Sequence, residues 1–236
     1  MQQIKIFIGL FYLIILSSFL IFFFSKFSFQ EVTSYNFIKN NRDYFFELKE
    51  TNLFFLSIVY IISTILWIFV AGFGSPAALI AGFIFGKWLG LFFLIFSVAI
   101  GATGLYMFAN YFLKDFIKVN FLNKFKLLEK KFKEAELTYL LIFRFVGGIP
   151  FPIANVLPCL FNVKVSNYFL AILIGTIPQS FLVVSIGSGL EKIIDKNLSA
   201  PTLVDLITSP DIYLPLIIFF ILFVTTIFFK KKFYKN

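Results

Sequence analysis

The feature that most constrains this chain is an uncharged run over residues 53–86. As one helix its thirty-four residues would reach roughly 50 Å at about 1.5 Å per residue, against a hydrocarbon core of about 30 Å. A single straight crossing cannot hold it, and the sequence supplies a break as Gly72-Phe73-Gly74-Ser75-Pro76. Glycine costs about 1 kcal/mol in a helix interior and proline about 3 kcal/mol. The run therefore reads as a helix over 53–71 followed by a short broken or re-entrant element over 74–86.

The solvent of such a chain is lipid. Of its 236 residues 60% are hydrophobic and only 14% charged, with a mean hydropathy of +0.93; a soluble domain carries about a quarter charged residues. One cysteine, Cys159, and no histidine exclude disulfide frameworks, Cys/His metal sites and histidine-dependent nucleophiles within one chain. Neither an acidic cluster with ligand spacing nor a phosphate-cradling or dinucleotide motif is present. The expectation is no metal, no cofactor and no enzymatic activity. The net charge of +9 sits at the ends of apolar runs, where lysines meet anionic lipid, and not on a folded nucleic-acid-binding domain. Membrane lipids are the expected partners, nucleic acid is not, and a homo-oligomer is left open.

Residues 6–24 form a first uncharged span, and 25–50 a polar loop or interfacial helix. Residues 88–113 form a long span with Gly90, Gly101 and Gly104, small residues that let helices approach closely. The stretch 114–136 holds seven lysines and four acids, and Ile117, Phe121, Phe125, Leu128 and Phe132 recur at helical spacing. It reads as a basic amphipathic helix in the interface, or else as a solvated connecting helix. The apolar region 137–163 carries Arg144, Gly147-Gly148, Pro150, Pro152, Asn155 and Pro158, which no straight lipid-facing helix would hold. Residues 165–190, with Gly175 and Pro178, read as a cleaner span. A polar loop over 191–211, a last span over 212–229 and a lysine-rich tail complete the chain. Lysine counts place the tail and 114–136 in the cytoplasm and 191–211 outside.

The two breaks share a register. Gly74-Ser75-Pro76 precedes Gly148-Ile149-Pro150 by 74 residues, and Gly101 and Gly175 each follow their proline by 25. Each half reads as break, short apolar element and long span, with Gly82 and Gly86 shaping the first short element. One true crossing between two hairpins makes them enter from opposite sides, which is the logic of inverted repeats. The expected fold is all-α integral membrane, with about five spanning helices plus two opposed re-entrant broken-helix hairpins. Its parts are an N-terminal span and loop over 1–50, a core over 51–190, and a loop, last span and tail over 191–236.

Polar residues at membrane depth mark function. Arg144 is one of only two arginines, set between apolar runs directly before the second break. Its guanidinium fork suits phosphate or carboxylate, although an arginine near a helix end can also snorkel to the interface. Asn155 can bind a headgroup or cap the second half of the hairpin. Pro150 and Pro152 are architectural, forcing extended backbone and removing donors.

Arg144, Pro150-Phe151, Asn155 and Ala171-x-x-x-Gly175-x-x-Pro178 resemble the second half of the VTT domain of the DedA superfamily, also called SNARE-associated Golgi-like proteins. Gly74-x-Pro76, Ala81-Gly82-x-x-x-Gly86 and Gly101-Ala102 are similar to its first half. The resemblance covers roughly residues 70–190. It implies two inverted re-entrant hairpins and translocation of a lipid phosphate (undecaprenyl phosphate or a phospholipid), with Arg144 meeting the phosphate and Asn155 beside it. Gly147, Cys159 and Asn110 stand where the family often has proline, glycine and arginine, and the acid before the first-hairpin proline is missing. The chain is thus similar to the branch that lacks that acid. The expectation is a transporter or scramblase-like protein of the bacterial cytoplasmic membrane, for a lipid phosphate or small solute. The alternative is a scaffold that binds partners or anionic lipid through helix 114–136.

Overall fold

The computed structural model describes residues 35–112, 134–146 and 149–196, with isolated positions between 11 and 25 and between 204 and 221. The expected first span, the amphipathic stretch 114–133, Gly147-Gly148, and most of the chain beyond 196 lie outside the described residues.

All regular elements among the described residues are helical. They are α1 (Tyr35–Phe69), α2 (Gly74–Phe112), α3 (Glu136–Val146), α4 (Phe151–Val156) with a 3-10 turn (Leu157–Phe161), α5 (Val165–Gly175) and α6 (Ile177–Lys196). The helix expected from residue 53 starts earlier, at Tyr35, and is interrupted at Asn52, whose φ of −150° and ψ of 65° are not helical. Asn52 Oδ1 accepts the Phe55 N–H at 3.1 Å, so it caps the apolar segment that follows. The polar first part is tied elsewhere: Arg42 Nη2 lies 2.8 Å from Glu191 Oε1 on α6.

The first break begins as α1 ends. Ala71 adopts a left-handed φ of 64°; its N–H donates to Ile68 O at 3.0 Å and the Gly72 N–H donates to Trp67 O at 2.8 Å. This is the double bond of a Schellman cap. Trp67 Nε1 donates to Phe73 O at 2.8 Å and closes the turn. Pro76 then falls in the first turn of α2, where a missing N–H costs no intrahelical bond.

Gly86 folds α2 back on itself. Its φ of 77° and ψ of −177° lie far from helix, and a Cβ at Gly90 would overlap the Ala81 carbonyl. In a straight helix those two residues would stand about 13 Å apart. Residues 74–85 and 87–112 are therefore the arms of a helical hairpin. The first arm meets α6 backbone to backbone: Cβ atoms at Gly82 and Gly187 would overlap the carbonyls of Val184 and Leu79. The α2–α6 contact is the most extensive in the fold, followed by α1–α2.

Two seams repeat one pattern. A Cβ at Gly101 would come within 2.7 Å of Ile65 O and 2.9 Å of Ile68 Cβ, and one at Gly175 within 3.5 Å of Leu141 O and 2.8 Å of Arg144 Cβ. In each half a glycine thus lets a preceding helix pack against it through two residues three apart.

The span expected over 165–190 is not straight. α5 and α6 meet at a 44° bend. Pro178 has no N–H to give Ile174 O, and Thr176 Oγ1 donates to Ile172 O at 2.7 Å, competing with the helical ladder. Among the described residues, Arg42–Phe69 and Gly74–Phe112 are long and apolar enough to cross a membrane, the latter through its arm after Gly86, and the bent pair is a third if taken as one span.

Candidate functional site

The second break builds a buried polar cluster. α3 carries Arg144 in its last turn. Glu136, at the start of α3, ties this segment to the start of α5: its Oε1 accepts the Lys164 N–H and Asn167 Nδ2, both at 2.8 Å. The chain therefore leaves along α3 and returns to its own origin, with Pro150 (φ −50°, ψ 133°) directing it into α4 and Pro152 in the first turn there.

Arg144 is 5% exposed. Its Nη2 donates to the Tyr168 hydroxyl at 2.9 Å. That hydroxyl donates to Asn155 O at 3.0 Å, with Asn155 Oδ1 at 3.4 Å. Tyr168 and Asn155 are fully buried. The Tyr168 ring stacks on Tyr106, centroids 4.4 Å apart and planes 15° from parallel, and the Tyr106 hydroxyl donates to Val163 O at 2.6 Å. Tyrosine 168 is thus fixed on one face by α2 and holds the arginine on its edge. No carboxylate pairs with Arg144 among the described residues.

Two donors of this cluster, Arg144 Nε and Asn155 Nδ2, are buried without an acceptor among the described residues. Such a donor costs about 1–3 kcal/mol. Both are matched by a group that only accepts, and a phosphate or carboxylate is such a group. A cavity of about 120 Å³ opens beside Arg144, lined by Phe143, Arg144, Ile149, Phe151, Ala154, Thr176 and Gln179, with Asn155 one residue beyond its wall at Ala154. A larger apolar cleft of about 460 Å³ runs between Leu141, Ile142 and Phe145 of α3 and Ile174, Gly175, Ile177 and Pro178 of the α5–α6 bend. Cavity and cleft share α3 and the bend as walls.

Arg144 and Asn155, singled out in the sequence, come together through Tyr168. Burial excludes snorkelling for Arg144 in this conformation. Asn155 caps no helix: α4 and α5 have Pro150 and Lys164 as their N-caps, without side-chain bonds. Gly74 reaches the cluster's edge, because its Cβ would touch the Phe151 ring at 3.8 Å; the two breaks meet there. Gly82, Gly86 and Gly101 lie in seams or turns away from Arg144, while Gly175 passes directly beneath it. Pro178 sets the bend, and Gly148 lies outside the described residues. Tyr168, Tyr106 and Gln179 were not among the sequence candidates. An aromatic hydroxyl or an amide inside an apolar run is the signal that could have raised them.

The fold and the cluster define a helical membrane protein in which two chain breaks meet beside a buried arginine that no carboxylate among the described residues neutralises. The family model of the VTT domain matches residues 70–189, just over half of the chain, and the chain belongs to that family, the DedA/SNARE-associated membrane proteins, generally of transporter type. No solved structure matches it.

Proposed function

We propose that this protein moves a phosphate-bearing lipid across the bacterial cytoplasmic membrane, with Arg144 as the headgroup contact, Asn155 as a second donor, and no chemical conversion of the substrate. The observation that carries this reading is the buried Arg144, which lines a small cavity and whose Nε, like Asn155 Nδ2 in the same cluster, has no acceptor among the described residues. A buried arginine without a carboxylate is stabilised by an anion that enters. The apolar cleft on the other side of α3 suits the lipid's hydrocarbon, so that a headgroup can cross while its chains stay in lipid.

Two re-entrant hairpins inserted from opposite faces are part of the same proposal. The Gly86 fold-back, the Glu136 tie between α3 and α5, and the matching seams of Gly101 and Gly175 support it. Irregular backbone at the meeting of two breaks needs protein or a wet cavity around it, since lipid cannot satisfy it. The C-terminus is cytoplasmic in this arrangement.

The test is translocation of a fluorescent phospholipid in proteoliposomes. Arg144→Ala is expected to slow it at least ten-fold with Arg144→Lys in between. Equal rates for wild type and Arg144→Ala remove the arginine from the mechanism.

A further inference from the structure

Gln179 has no part in the reading above, yet its side chain is placed where the charge preference of the cavity is decided. It lies one residue after Pro178, inside the α5–α6 bend, and lines the cavity with Arg144. Its Nε2 donates to Arg144 O at 2.9 Å and to Phe145 O at 3.2 Å. Those oxygens belong to the last turn of α3, where a helix leaves its carbonyls without intrahelical partners and carries partial negative charge. The arginine that would receive a phosphate therefore sits at the end of a helix that repels one. A single amide from α6 covers two of the offending oxygens, one of them on Arg144 itself.

We infer that Gln179 is a positioning and specificity-determining residue: by covering the α3 carbonyls it neutralises two acceptors at the cavity wall and leaves the Arg144 charge to set the preference, so that a phosphate is accepted and a cationic headgroup is not. The inference rests on the anion reading of the Arg144 cavity. A side chain without donors at position 179 uncovers two main-chain acceptors at the end of α3 and so favours choline or ammonium groups. A carboxylate does more harm, since it repels the same carbonyls and pairs with Arg144 in place of the ligand. The bend itself keeps its angle in these variants, because Pro178 and Thr176 set it.

The experiment measures binding of short-chain phosphatidic acid, short-chain phosphatidylcholine and inorganic phosphate to the purified full-length chain in detergent. Wild type is compared with Gln179→Met, Gln179→Glu, Gln179→His and Arg144→Ala. Gln179→Met is expected to weaken phosphatidic acid roughly ten-fold, the scale of one ordinary hydrogen bond, while phosphatidylcholine is unchanged or tighter. Gln179→Glu loses phosphatidic acid altogether, and Gln179→His, which keeps a nitrogen donor, restores most of the preference. Inorganic phosphate separates a free from a lipid-borne source: the same ranking with phosphate alone means that the headgroup chemistry suffices. A loss that falls equally on both lipids makes Gln179 merely structural and overturns the inference. So does wild-type preference in Gln179→Met and Gln179→Glu while Arg144→Ala fails to bind. Unchanged binding by Arg144→Ala overturns the anion reading, and this inference with it.

Discussion

Tyr168 stands between Arg144 and Asn155 with its hydroxyl 2.9 Å from Arg144 Nη2 and 3.0 Å from Asn155 O, accepting from the first and donating to the second. One oxygen thus joins α3, α4 and α5. Tyr168→Phe keeps the ring on Tyr106 and removes only that oxygen. It is expected to cost about 1–3 kcal/mol in stability, because Nη2 and the Asn155 carbonyl lose a buried partner, and to slow lipid translocation about ten-fold as the guanidinium loses its fixed orientation. Thermal unfolding and flipping rates on the same preparation check both parts.

The two glycine seams allow a paired comparison. Gly175→Val and Gly101→Val each force a side chain against a neighbouring helix, and each is expected to destabilise by about 1–3 kcal/mol. Only Gly175→Val displaces Arg144, so only it should abolish phosphate-dependent binding. Matched melting temperatures with divergent binding are the expected result.

Glu136 holds the second hairpin shut through two bonds to one oxygen. Hydrogen bonds to a charged group contribute about 1.5–3 kcal/mol when shielded, and the Lys164 bond is exposed. Glu136→Ala is therefore expected to cost about 1.5 kcal/mol, with amide hydrogen exchange rising first at Lys164 and around the start of α5. Uniform exchange along the chain would count against a local clasp.

Much of this architecture was legible in the sequence, for reasons that differ by residue. Gly74, Pro76, Pro150 and Pro152 announce breaks because glycine and proline act on their own backbone. The excess length of the uncharged run demanded a fold-back, and Gly86 supplies it through a φ that only local chain direction reveals. Arg144 and Asn155 stood out as polar groups in apolar company. Tyr168 did not, since a tyrosine 24 residues from the arginine resembles any membrane aromatic until the α3–α5 packing brings them together. Gln179 was hidden in the same way, its partners being carbonyls that every residue possesses. The bend at Thr176 was also missed: Pro178 near a helix start is tolerated, and whether it ends one helix or kinks a longer one depends on what packs beside it.

Ala71 occupies a left-handed position with a Cβ, which costs roughly 1 kcal/mol relative to glycine. Ala71→Gly is expected to stabilise the protein by about that amount, leaving translocation unchanged. Denaturant unfolding in mild detergent reads the sign directly.

That no carboxylate among the described residues stands beside Arg144 has an electrical consequence. In the proposed transport cycle the empty cavity carries one positive charge, while a cavity holding a singly ionised phosphate is nearly neutral. A charge moved through the full membrane potential exchanges about 2.3 kcal/mol per 100 mV. The loaded step is then nearly blind to voltage, and the return of the empty protein feels it. Membrane potential would govern how quickly the transporter resets and not how well it carries its lipid.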